Sequence, residues 1–132
     1  MATGFVSKLR GDASGFCIRN ERNGRVLAAR ILPALDSKTR RTGLLGRDSL
    51  PVGHAMVVAP TNAVHTWFMR FPIDIAFVDR QGRVVKACHS VKPWRLAAAF
   101  RGFAVIELAA GSLARCDTVL GDMLAVVADP DI

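Results

Sequence analysis

The chain has 132 residues, 51% of them hydrophobic, with 18 basic against 11 acidic side chains and a net charge of +7. That length supports a single domain with one continuous core and excludes a second functional module, and the even spread of apolar residues argues against a disordered tract. Fourteen of the 18 basic residues are arginine, yet they are dispersed and tyrosine is absent, so neither a concentrated basic stripe nor an aromatic stacking ladder for nucleic acid is present.

From the N-terminus, MATGFVSKLRGDASG lacks the apolar core of a signal peptide, and no apolar run approaches the roughly 20 residues needed to span a bilayer. A cytoplasmic location is the expectation. Residues 16 to 32 read as a hairpin about Asn23-Gly24, ended by Pro33. Asp36 or Ser37 then caps a short helix with a basic face of Lys38, Arg40 and Arg41, running to about Leu45 and terminated by Gly46. A strand is expected at MVVA.

The stretch HTWFMRFPIDIAFVD, residues 65 to 79, alternates at Phe71, Ile73, Ile75 and Phe77, the period of a half-buried strand. Asp79 to Gly82 turns it into RVVKACHSV, an antiparallel hairpin. Beyond Pro93, LAAAF reads as a helical turn or a loop, FAVIEL as a strand, AAGSLARC as a short helix, and Gly121-Asp122 as the turn into a last strand. About seven strands without a strand–helix alternation disfavour a doubly wound parallel sheet. The expected fold is mainly β: one domain, residues 1–132, with an antiparallel, open-barrel-like sheet and two or three short helices at its ends.

RRTGLLGR at residues 40 to 47, the stretch from His65 to Asp79, KPWR, VIELAAG at residues 105 to 111, and Gly121-Asp122 together resemble the DUF192 family (uncharacterised protein family 0127) over roughly residues 40–124. The resemblance implies a compact β-rich fold. It brings no activity, cofactor or catalytic residue. Departures from the family pattern are Leu45, where methionine is usual, and AMVV at residues 55 to 58; the N-terminal export or anchor segment common among members is expected to be missing here.

Cys17, Cys88 and Cys116 are odd in number and widely spaced, which favours free thiols without a disulfide. There is no GxSxG elbow, and Cys116 has no nucleophile signature to go with His65. His65 and Met69 together suggest a copper(I) ligand pair, but methionine in an apolar segment is ordinary core filler, and no metal or cofactor is expected. Trp94 is expected to plug a core edge. Asp74 lies opposite Ile73 and Ile75 on its strand, so it either accepts backbone amides or an arginine to pin the hairpin, or forms part of a pocket. Glu107 pairs with Asp74 or Asp122 for acid–base work only if the fold brings them together.

The leading expectation is a non-enzymatic binding module whose cleft, edged by Arg47, His65, Asp74 and Arg95, takes an anionic small molecule or a carboxylate of an acidic protein partner. The alternatives are a small hydrolase or isomerase using His65 and Asp74 as acid–base groups, and a polar clasp with no ligand. Basicity without a stacking platform leads to the expectation that specific nucleic-acid binding is absent. The composition sets no oligomeric state.

Overall fold

A computed structural model describes residues 4–129, of which 40% are strand and 10% helical. Ten strands run in chain order: β1 (Phe16–Asn20), β2 (Val26–Ala28), β3 (Arg30–Ala34), β4 (His54–Val58), β5 (Ala63–His65), β6 (Ile73–Val78), β7 (Val84–Val91), β8 (Leu96–Ala98), β9 (Ala104–Ala109) and β10 (Leu124–Ala128). Two short helices, α1 (Ser37–Thr42) and α2 (Ser112–Arg115), and a 3₁₀ turn at Ser7–Leu9 complete the fold. The mainly β, single-domain expectation holds.

The strands form a five-stranded sheet in the order β3-β4-β9-β6-β7, a three-stranded sheet β10-β1-β2 and a two-stranded ribbon β5-β8, and they do not close into a barrel. One feature departs from a purely antiparallel arrangement: β3 and β4 are parallel, with α1 in the crossover between them. Pro33 lies inside β3 rather than ending a strand, and an edge position tolerates it because proline has no N–H to offer a second neighbour. The LAAAF segment contains β8, a strand rather than a helical turn or loop, because it pairs with β5 from a distant part of the chain.

The five-stranded sheet is covered on both faces. On one, Ala76, Val78, Ile106 and Leu108 meet Ile18, Leu27, Leu124 and Val126 of the smaller sheet, with Phe5 and Leu9 closing the end. On the other, Ile73, Ile75, Phe77 and Val105 pack with Met56, Leu44, Leu50 and Met69. This explains why β6 is buried at all six positions and not half-buried: its alternation divides two cores, not core from solvent.

The β6–β7 hairpin forms as its pattern predicts, with Asp79 Oδ1 accepting from the amides of Gln81, Gly82 and Arg83 at 3.0 Å each. The same turn joins the two sheets, since Leu124 N donates to Gly82 O at 2.8 Å and Val84 N to Asp122 O at 2.8 Å. Asp122 is itself held by Arg22 Nε at 2.7 Å and Asn20 Nδ2 at 2.9 Å, and the arginine keeps its carboxyl down at about 2.

At Gly82, φ is +105°, and a Cβ would stand 2.2 Å from Leu124 O and 2.9 Å from the Phe5 ring. Gly82→Ala must therefore separate the two sheets or distort the turn, and it is expected to lower the midpoint of urea unfolding by an amount worth roughly 3 kcal/mol or more. A variant as stable as the parent chain would show that the sheets do not meet here.

Candidate functional site

Between the five-stranded sheet, helix α1 and the β5–β8 ribbon lies a cavity of about 370 Å³. Each wall has a local cause. Asp36 caps α1 by accepting the Thr39 amide at 2.8 Å, and the chain leaves the helix at Gly43 with φ +48°, which turns Leu44 into the second core. Gly43, rather than Gly46, thus ends the helix.

Arg40, Arg41, Leu44 and Leu45 form the helix side of the cavity; Val64, His65 and Met69 form the ribbon side; Val58 and Glu107 form the sheet side. Arg40 is anchored, with Nη1 donating to Leu35 O at 2.9 Å and to Ala59 O at 3.4 Å. Arg41 is exposed and makes no hydrogen bond or ion pair among the described residues. The His65 ring stacks on Trp67, centroids 4.8 Å apart.

Glu107 is the unusual member. It occupies β9, the central strand, directly between Met56 of β4 and Ile75 of β6. Only 7% of the residue is exposed, and among the described residues its carboxyl has neither a hydrogen-bond partner nor an ion-pair partner. Burial alone pushes the group up from 4.5 to about 7. A buried carboxyl is normally paired, because the desolvation of its charged form is otherwise uncompensated. Its oxygens are not sealed in, and the space open to them is the cavity.

The four residues named from the sequence do not gather here. His65 lines the cavity; Arg47 lines a separate recess of about 250 Å³ beside Thr39, Thr42 and Met56; Arg95 is exposed, with Nη1 donating to Trp94 O at 3.4 Å. Asp74 is fully buried on the opposite face of the sheet from Glu107, since it registers with Leu108 while Glu107 registers with Ile75. Neither arginine is its partner. Asp74 Oδ1 accepts the Ser90 amide at 2.8 Å and Oδ2 the Leu113 amide at 2.9 Å.

Those two bonds explain the aspartate. Between Ile73–Val91 and Ile75–Cys88 the ladder advances two residues on β6 and three on β7, so β7 bulges, and Ser90 sits there with φ +47°. Leu113 lies in the first turn of α2, whose own N-cap, Gly111, supplies no side chain. Asp74 thus fastens a bulge and caps a helix from a neighbouring strand.

Other expectations sort similarly. The three cysteines are free. Cys116 packs in the first core and offers its thiol to Val26 O at 3.6 Å, so it belongs to other surroundings than the His65 cavity. Strand β5 ends at His65 and Phe68 takes φ +65°; Met69 is buried and Trp67 is not. Trp94 is 57% exposed instead of plugging a core edge. Among the described residues no three His, Cys, Asp or Glu side chains are placed to hold a metal. Glu107 had a sequence signal, a lone carboxylate in the apolar run AVIELA, but nothing local shows that the strand is central or that a cavity opens beside it.

Fold and site define a small mainly β domain with a two-faced central sheet and a cavity on one face. The family profile for DUF192, described as uncharacterized ACR, matches residues 18–126, and the chain belongs to that family. The match extends further in both directions than the motifs from residue 40 to 124 suggest. A structure described as a candidate transcription regulator from Sinorhizobium meliloti 1021 is similar at a TM-score of 0.72 and 20% identity, over 84% of this chain and 91% of that one. A protein of unknown function from Novosphingobium aromaticivorans DSM 12444 is similar at a TM-score of 0.71 and 23% identity, over 83% of this chain and 81% of the other. At these identities the likeness concerns the fold alone. No curated protein matches the chain.

The two carboxyls predict opposite behaviour. Asp74→Ala leaves two amides without acceptors and should cost roughly 2–4 kcal/mol in urea unfolding, with Asp74→Asn, which keeps one oxygen, costing less. For Glu107 the folded value lies above the unfolded one, so its favourable contribution is complete below pH 4.5, declines as pH rises through about 7 and is absent beyond. That decline amounts to about 3 kcal/mol at 1.36 kcal/mol per unit. Glu107→Gln should flatten this part of the stability–pH curve, measured by denaturation at pH 5 and pH 8; an unchanged slope would remove Glu107 as its source.

Proposed function

We propose that the protein is a binding module whose cavity takes a small molecule with an apolar middle, an anionic end and a hydrogen-bond donor at its other end. The observation that carries this reading is the Glu107 carboxyl, buried, without a protein partner among the described residues, and open to the cavity. A donor on the ligand would supply the missing hydrogen bond. Leu44, Leu45, Val58, Val64 and Met69 offer the apolar surface between the ends. Arg41, whose guanidinium has no acceptor among the described residues, and the His65 ring suit the anionic end.

The anionic group belongs with the arginine and not beside Glu107, where a second negative charge would be opposed. A carboxylate from a protein partner would reach Arg41 but would leave Glu107 unanswered, so a small molecule is the better match. An acid–base enzyme is the second reading, favoured by one observation: a carboxyl near 7 shares a cavity with a histidine. In that reading the acid–base group is Glu107, since both Asp74 oxygens are committed to amides.

Fatty acids of graded length, each compared with its ω-hydroxy and ω-amino derivative, test the binding reading by thermal shift. The derivatives should raise the unfolding temperature more than the parent acid. Glu107→Ala should remove that difference, while Arg41→Ala should weaken all three alike. Equal responses from all the acids, unaffected by Glu107→Ala, would overturn the assignment.

A further inference from the structure

The cavity leaves unexplained a group of exposed aromatic side chains at one end of the ribbon. Trp67 is 46% exposed, Phe68 67%, Trp94 57% and Leu96 70%. They adjoin one another: Phe68 and Trp94 meet edge to face at 4.7 Å, Trp67 stacks on His65, and His65 pairs with Leu96 across β5 and β8.

Their presentation is enforced by the backbone. Phe68 and Trp94 hold φ of +65° and +68°, values that bulky residues rarely adopt. Both are fixed by Thr66, which is 1% exposed. Its hydroxyl donates to Lys92 O at 2.6 Å and accepts the Arg95 amide at 2.9 Å; its carbonyl accepts the amides of Trp94 at 3.0 Å and Met69 at 3.2 Å. One buried threonine thus ties two loops together, and each loop spends conformational strain to turn an aromatic ring outward. Strain of this sort persists where the surroundings over-determine it, and it gathers at functional sites.

The two chain segments that carry the rings have charge of one sign. Residues 61–73 and 84–104 contain no Asp or Glu, whereas Arg70, Lys86, Lys92, Arg95 and Arg101 are all exposed. Asp48 pairs with Arg70 at 2.7 Å and offsets that one charge; among the described residues the guanidinium of Arg95 and the ammonium of Lys92 have no carboxylate partner.

We propose that the surface formed by Trp67, Phe68, Trp94 and Leu96, flanked by Lys92 and Arg95, docks on an anionic lipid bilayer. This rests on the ribbon and not on the ligand of the cavity. Tryptophan and phenylalanine with basic neighbours suit the headgroup boundary, where rings enter the apolar margin while cations remain among the phosphates. Neither of the two recesses described above includes any of these four residues, which stand on the surface as exposed side chains. A deformable apolar margin that closes around protruding rings fits this shape. A rigid protein partner would need four matching pockets of its own.

The chain contains two tryptophans, and both lie in the patch, so intrinsic fluorescence reports on it directly. Vesicles of phosphatidylcholine mixed with phosphatidylglycerol should co-sediment the protein and shift its emission to the blue, with quenching when the acyl chains are brominated; phosphatidylcholine alone should do neither. The double variant Phe68→Asn with Trp94→Asn removes two rings at positions where asparagine accepts positive φ. It should keep the parent unfolding temperature, retain Trp67 as reporter, and lose most of the binding. Lys92→Glu with Arg95→Glu should lose it as well. Adsorption that the double aromatic variant retains and added salt abolishes would assign the effect to the overall positive charge and overturn the proposal. So would an absence of any vesicle response accompanied by self-association that the aromatic variant abolishes, which would make the patch a protein contact.

Discussion

A β-sheet covered on both faces has no side on which a carboxylate is hydrated, and this constraint governs the molecule. Two carboxyls stand in the inner strands of the five-stranded sheet, Asp74 on β6 and Glu107 on β9, and they point to opposite faces. Asp74 meets the constraint internally. Its two oxygens take two amides, and in doing so determine where β7 bulges and where α2 begins. Glu107 does not meet it internally, and its protonation equilibrium rises to about 7 as the consequence of burial without a partner. One sheet therefore contains both solutions open to a buried acid: complete satisfaction by backbone, or displacement toward the neutral form beside a cavity.

The difference between the two is set by what each face packs against. Asp74 looks toward the start of α2, where a helix offers unpaired amides that need an acceptor. Glu107 looks toward a face covered by a six-residue helix, a three-residue ribbon and the turns that follow them, elements too short to fill the space above the sheet. The cavity is the volume they leave. Its apolar lining continues the second core, with Leu44, Val58 and Met69 belonging to both.

What could be read from the sequence was what is local. The hairpin of β6 and β7 shows in the alternation of Phe71 to Phe77 and the Asp79–Gly82 turn, and the cap of α1 shows in Asp36, because both rest on residues a few positions apart. The parallel pairing of β3 with β4 and the antiparallel pairing of β5 with β8 depend on contacts between segments roughly 20 to 35 residues apart, and neither Pro33 nor the alanines after Leu96 carry a mark of it. The site follows the same division. The role of Asp74 as a backbone acceptor is legible as a general requirement for a buried acid, and His65 does reach a cavity; Arg47 and Arg95 have the chemistry of an anion site but no local signal of position, and the fold puts them elsewhere. Arg41 was visible only as part of a basic helix face, because nothing in SKTRRT tells which turn of that face overlooks the sheet.

His65 belongs to two environments, since it lines the cavity and stacks on Trp67 of the exposed aromatic surface. Thr66, the next residue, is the buried tie between the two loops of that surface. Cavity wall and outer patch are thus adjacent along one short segment, and a shift of that segment would be felt on both sides. Met69 continues the link, because its amide bonds to the Thr66 carbonyl while its side chain is part of the cavity lining. The mixture of residues in HTWFMRFPIDIAFVD then has a physical order. Its second half is core strand with two structural acids, Asp74 within the strand and Asp79 at the turn that ends it, and its first half is the turn that separates a cavity from an exposed aromatic face. A stretch with only apolar residues would build the strand but would leave that turn without the threonine tie that holds its shape.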